Sequence, residues 1–188
     1  MEGYCVMNLL LLGAPGSGKD TLAANLGAHK YKILTTGALY RKEYEDKTEL
    51  GLEAYSYWGK GNLCPDEMTN QLMFNILSKS DKNNLIFNGY PRTLQQAKYL
   101  DTLSNIDLVF NLITPDEIAV GRLLKRARLD DTEENIKQRL KHYYTNSVEM
   151  VKYYKSRNIY FELNTNREKE EVLKEALGII NETWQNHT

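Results

Sequence analysis

Apolar runs of strand length recur at Met7–Leu12, Tyr31–Leu34, Asn84–Asn88, Ile106–Ile113 and Ile159–Leu163, each followed by a charged segment long enough for a helix. This alternation predicts βα units and hence an α/β fold. The expected architecture is a three-layer α/β/α arrangement, with a five-stranded parallel sheet covered by helices on both faces and right-handed crossovers. Ligands of such sheets sit at the carboxyl ends of the strands.

The clearest helical pattern is Thr132–Arg157, where Ile136, Leu140, Tyr143, Tyr144, Val148 and Val151 mark one buried face among charged positions. Asp131 or Thr132 can cap this helix, with Glu134 close enough to bond back to the first turn. Arg167–Trp184 predicts a closing amphipathic helix that packs Val172, Leu173, Ala176, Leu177 and Ile180 on the sheet. Met1–Val6 reads as an extension ahead of the first strand. Internal repeats, low-complexity tracts and linkers are absent from the sequence, so residues 1–188 are expected to form one domain.

Composition narrows the function. With 41 % apolar and 26 % charged residues, the chain can bury a proper core. A net charge of −1 with both signs interspersed leaves no tail for nucleic acid and no basic patch for a membrane, so any anionic ligand must be held by a local cluster of bases. The two cysteines, Cys5 and Cys64, have no Cys/His cluster around them and predict reduced thiols and no zinc. Val6–Leu12, broken by Asn8, is too short to span a bilayer and lacks the flanks of a secretory signal, which leaves the cytoplasm as the expected compartment.

The most specific local signal is Leu9–Leu12 followed by GAPGSGKDT, Gly13 to Thr21, and then the apolar run Leu22, Ala23, Ala24, Leu26. This is a strand, a glycine loop and a helix. Gly13, Gly16 and Gly18 allow successive backbone N–H groups, with that of Ser17, to turn around a phosphate, and the helix N-terminus behind them favours negative charge. Lys19 supplies a cation for β- and γ-phosphate oxygens. A P-loop has Ser or Thr directly after its lysine to hold magnesium; here Asp20 stands there and the hydroxyl comes one later, at Thr21. Asp20 either contacts magnesium through water or pairs with a nearby base.

Further segments extend the picture: Thr35-Thr36-Gly37-Ala38-Leu39-Tyr40-Arg41; Gly61-Asn62-Leu63-Cys64-Pro65-Asp66-Glu67; Asn88-Gly89-Tyr90-Pro91-Arg92-Thr93 with Gln96; and Gly121-Arg122 through Arg126, Arg128 and Asp131, with the later Arg139. In this order they resemble the adenylate kinases and their relatives, the nucleoside monophosphate kinases, over nearly the whole chain. The resemblance implies a helical acceptor-binding segment at about 35–64 and a very short lid at about 125–131. It further implies that Thr36, Gly37 and Arg41 bind the acceptor nucleotide. Trp58, Asn62, Leu63 and Cys64 then line its base, Gly89 and Arg92 hold its phosphate, and Gln96 reads adenine. Arg122 flanks the ATP adenine, and Arg126, Arg128 and Arg139 surround the transferring phosphoryl group.

Arginine usage agrees with this. Of 24 Lys and Arg residues only eight are Arg, and six of the eight fall at resembling positions. A planar fork of donors grips phosphate oxygens in pairs, which an ammonium cannot do. Phosphoryl transfer demands alignment and charge compensation, and the acceptor phosphate is already an anionic nucleophile, so no general base is needed. His29, His142 and His187 lie outside every motif and are assigned to surface or packing.

The expected function is therefore transfer of the γ-phosphoryl of ATP with Mg²⁺ to AMP by a monomeric enzyme, with Lys19, Arg92, Arg126, Arg128 and Arg139 as the transfer set. Thr21, Asn88 and Asp20 are the residues expected near magnesium. Asn88 and Ala38 stand where the family has Asp, and Tyr40 and Trp58 where it often has Leu and Met; the two aromatics either stack on a base or pack the core. UMP, CMP or a deoxynucleotide as acceptor, or a nucleotide-binding switch without turnover, are the competing readings.

Overall fold

The computed structural model describes residues 6–186; Cys5, Met1–Cys5 of the expected extension and His187 lie outside them. Five strands are described: β1 (Leu9–Gly13), β2 (Lys32–Thr35), β3 (Leu85–Asn88), β4 (Leu108–Ile113) and β5 (Tyr160–Asn164). All pair in parallel, in the order β2-β3-β1-β4-β5. Eight helices connect and cover them among the described residues: α1 (Lys19–Gly27), α2 (Thr36–Glu45), α3 (Glu49–Trp58), α4 (Asp66–Leu77), α5 (Leu94–Leu103), α6 (Asp116–Arg126), α7 (Glu133–Lys155) and α8 (Lys169–Gln185).

The central strand shows why four successive leucines suit a sheet buried on both faces. Side chains alternate along a strand. Leu9 and Leu11 accordingly join a core with Leu22, Leu26, Phe110, Val172 and Ile180. Leu10 and Leu12 join the opposite core with Met73, Leu77, Phe87, Leu100, Met150 and Tyr154. All four are at most 3 % exposed, and full burial of each stabilises the fold by roughly 2 kcal/mol. A third, smaller cluster of Tyr40, Ala54, Cys64 and Leu72 holds α2 and α3 to α4.

Strand positions agree with the sequence reading, and β1 begins two residues later than the apolar run for a clear reason. Asn8 is 7 % exposed and works as a polar tie at the base of the sheet. Its Nδ2 donates to the carbonyls of Lys82 and Asn105 at 2.8 and 3.1 Å, and its Oδ1 accepts from the Leu85 amide at 2.9 Å. The α7 cap resolves to Thr132, whose Oγ1 accepts from the Asn135 amide at 3.2 Å. Glu134 is the second helical residue, one short of the position from which a side chain bonds back.

The chain leaves β1 for β2, returns to β3 beside β1, and then crosses to β4 on β1's other side. The crevice at the carboxyl end of β1 is thus the point where the winding reverses, and the Gly13–Gly18 loop closes it.

Candidate active site

The loop geometry follows from its glycines. Gly16 has φ +82°, and a Cβ there would lie 2.3 Å from the Ala119 carbonyl oxygen of α6, so only glycine fits the approach. Gly18, also left-handed, starts α1. Lys19 folds back across the loop and donates to the carbonyls of Gly13 and Ala14 at 2.7 and 2.8 Å. Burial, then repulsion from Arg92 and Arg126, pulls its pKa down to about 7.

From this loop a cleft of about 200 Å³ opens toward α2, α3 and α4. Lys19, Arg41, Arg92, Arg126, Arg128 and Arg139 all border it, although they come from five separate parts of the chain. Arg92 is depressed by burial and then by Arg139, and Arg41 by burial and then by Arg128. These cations repel one another in a partly desolvated space. Anions entering it would relieve the repulsion.

Acidic partners hold part of the set in place. Asp131, with its side chain fully buried, accepts from Arg126 Nε and Nη2 at 2.8 Å each and from Arg139 Nη1 at 3.0 Å. Arg139 also pairs with Asp130. Burial opposes the Asp131 charge, but the Arg126 hydrogen bonds outweigh it and hold the carboxyl below its usual range. Asp20 takes up the second of its two expected alternatives. It accepts from Arg128 Nη2 at 3.1 Å and from Asn88 Nδ2 at 2.8 Å, and these contacts lower its pKa against the burial that would raise it.

Thr36, Gly37, Tyr40, Trp58, Leu63, Cys64, Gly89 and Gln96 border the same cleft. Thr36 Oγ1 donates to the Gly89 carbonyl at 2.8 Å, which joins the start of α2 to the turn after β3. Arg92 Nε donates to that same carbonyl at 2.8 Å. Tyr40, 6 % exposed, donates to Thr69 Oγ1 at 3.0 Å and belongs to the small core while also bordering the cleft. Trp58 meets Tyr44 and Tyr55 edge-on at 5.7 and 4.8 Å. Both aromatics therefore pack and border the cleft at once.

Asn62 is turned differently. Its Oδ1 faces α7, 3.1 Å from both Gln138 Nε2 and His142 Nε2. His142, assigned to surface or packing, packs on Gln138 and Asn62 and in turn borders the cleft. Nothing in its sequence neighbourhood signals this, because the cleft is formed by residues remote in the chain. His29 is exposed.

On the far side of the glycine loop a second cavity of about 460 Å³ is bounded by Gly16, Gly18, Thr21, Arg122, Arg126 and Thr165. Arg122 is anchored by donation from Nη2 to the Thr165 carbonyl at 2.8 Å. Lys19, Asp20 and Arg126 border both spaces, so the two meet at the loop. Among the described residues, no group of three or more His, Cys, Asp or Glu could hold a metal ion, and no helix is long and apolar enough to cross a membrane.

Comparison with known proteins agrees with this geometry. The family profile described as adenylate kinase matches residues 11–159. An adenylate kinase of Clostridium tetani (strain Massachusetts / E88) is 34 % identical over 217 residues, covering 93 % of this chain and 100 % of the relative. One from Mesoplasma florum is 36 % identical over 213 residues, covering 93 % and 100 %. One from Prochlorococcus marinus (strain MIT 9515) is 43 % identical over 155 residues, covering 79 % and 85 %. With a glycine loop, five arginines around one cleft and matches of this extent, the chain belongs to the adenylate kinase family.

Proposed function

We propose that this chain, a phosphotransferase of the nucleoside monophosphate kinase type, moves the γ-phosphoryl of ATP onto AMP to give two ADP, using the residues that border the two joined cavities. The observation that carries the reading is the crowding of Lys19 and five arginines around one cleft, with Lys19, Arg41 and Arg92 depressed by burial and then by neighbouring arginines.

In this reading ATP lies on the glycine loop with its adenosine toward Arg122. AMP lies between Tyr40, Trp58 and Gln96, with its phosphate at Arg41 and Arg92. A phosphate oxygen of AMP attacks Pγ as the bond from Pγ to the β–γ bridging oxygen breaks. Lys19, Arg126, Arg128 and Arg139 compensate the charge on the oxygens in flight. Water competes with AMP, and the site must close before transfer. The turn 127–132 between α6 and α7 is the moving part that carries Arg128.

Magnesium would arrive with ATP. The Thr21 hydroxyl, the Asn88 carboxamide and the half-exposed Asp20 carboxylate are hard oxygen donors of the kind the ion accepts, directly or through its waters. It would neutralise phosphate charge there. We further take residues 1–188 as one kinase domain, with the acceptor segment at 35–64 and the lid at 125–131, working as a cytoplasmic monomer.

A panel of AMP, dAMP, UMP and CMP in a coupled ADP assay, with and without magnesium, tests this. AMP should give the highest kcat/KM and should require magnesium. Preference for a pyrimidine, or ATP binding without turnover of any monophosphate, would overturn it.

A further inference from the structure

A carboxamide is by itself a poor reader of purines. Its oxygen and nitrogen ends have nearly the same shape, so a free amide turned by 180° presents a donor where it presented an acceptor. Adenine offers the acceptor N1 beside the donor 6-amino group; a 6-oxopurine offers the reverse. A rotating Gln96 would accommodate both.

Gln96 cannot rotate freely here. Its Oε1 accepts from the Arg92 backbone amide at 2.7 Å, and its Nε2 donates to Asp66 Oδ1 at 2.7 Å. Both partners work in one direction only, because a backbone N–H always donates and a carboxylate always accepts. Asp66 is itself fixed. Its Oδ2 accepts from Thr93 Oγ1 at 2.8 Å, and the same Oγ1 accepts from the Gln96 amide at 3.1 Å as the cap of α5. The loop of four hydrogen bonds joins the first turn of α4 to the first turn of α5, and Gln96 is 2 % exposed within it. Turning the amide would set its oxygen against the carboxylate and its NH₂ against the Arg92 N–H, where little water can compensate.

We propose that Asp66 is a specificity-determining positioning residue. It locks the Gln96 amide so that one remaining N–H and one Oε1 lone pair meet the base as a donor and an acceptor in fixed order, an order that fits a 6-aminopurine and rejects a 6-oxopurine. This rests on the reading of AMP as acceptor with Gln96 at its base.

The test compares kcat/KM for AMP and for inosine 5′-monophosphate, with ATP and magnesium, in the parent chain, Asp66→Asn and Gln96→Ala. Asp66→Asn keeps the shape but lets this partner donate or accept, so of the two one-way partners only the Arg92 N–H still opposes a turned Gln96. The AMP:IMP ratio should fall by about 10- to 100-fold, mainly through the two KM values, with kcat for AMP within a few-fold. Asp66→Ser, too short to reach Gln96, carries the same expectation should the first variant melt early. Retention of the parent ratio in a folded Asp66 variant, while Gln96→Ala loses it, overturns the lock and leaves the AMP reading standing. A ratio unmoved by Gln96→Ala, or no discrimination by the parent chain, removes the base reading beneath it.

Discussion

Asp20 and Arg128 lie 108 positions apart, and their carboxylate and guanidinium meet at 3.1 Å across the mouth of the phosphate loop. The other Asp20 oxygen accepts from Asn88 at 2.8 Å, so one side chain joins the first turn of α1, the end of β3 and the turn between α6 and α7. The carboxylate stands near where phosphate charge is expected. With Asp20 49 % and Arg128 34 % exposed, the pair is worth roughly 0–1 kcal/mol, weak enough for an arriving phosphate to take the guanidinium from it.

Released from Arg128, Asp20 becomes available to the waters of magnesium. Asp20→Ala should raise the magnesium concentration for half-maximal rate by about tenfold at fixed ATP. An unchanged magnesium titration would assign the carboxylate to arginine pairing alone.

Arg139 is bonded to both Asp130 and Asp131 and borders the cleft, 13 % exposed at its side chain. Arg139→Ala should lower kcat by about 10²- to 10³-fold, with KM for ATP changed only a few-fold. Arg139→Lys should recover little, since the paired donors are lost. Steady-state kinetics on protein checked by melting decides it; a loss below tenfold would remove Arg139 from the transfer set.

Gly51 in α3 lies against α2. A Cβ there would stand 2.1 Å from the Glu43 carbonyl carbon. Gly51→Ala should therefore part the two helices, cost about 1–3 kcal/mol and raise KM for AMP several-fold. ATP affinity in the absence of AMP should not move. Calorimetric melting and ATP titration read the two effects separately.

Asp131 links stability to pH. Its folded pKa lies below the ordinary 3.8, so its contribution is complete above that value and fades as pH falls through the folded pKa. Asp131→Asn should cost about 2 kcal/mol at pH 7, and the gap to the parent chain should narrow below pH 3.8. Urea unfolding at pH 7 and pH 3 measures it; a gap independent of pH would place the loss in packing.

Much of the fold is legible in the chain because strand and helix periods are local. The leucine run before Gly13 and the charged segments between strands suffice for a parallel α/β sheet, and GAPGSGKDT carries its own phosphate geometry. The arginines could be picked out by residue type. Their restraint by Asp130 and Asp131 could not, although an acidic pair amid arginines is a usable signal. Thr132 rather than Asp131 as cap was decided locally, by the bond from the Asn135 amide to Thr132 Oγ1, whereas His142 at the cleft wall was decided by contacts between remote segments.

The sequence by itself determined the family, the α/β sheet and the identity of the cationic groups, since each rests on short-range pattern and residue chemistry. Tertiary structure alone decided what those groups touch: Asp20 on Arg128, Asp66 on Gln96, Asn62 on His142. Such pairings depend on how segments 30 to 108 residues apart are brought together. The burial that makes a hydrogen bond directional and shifts a pKa exists only once the chain has closed around it.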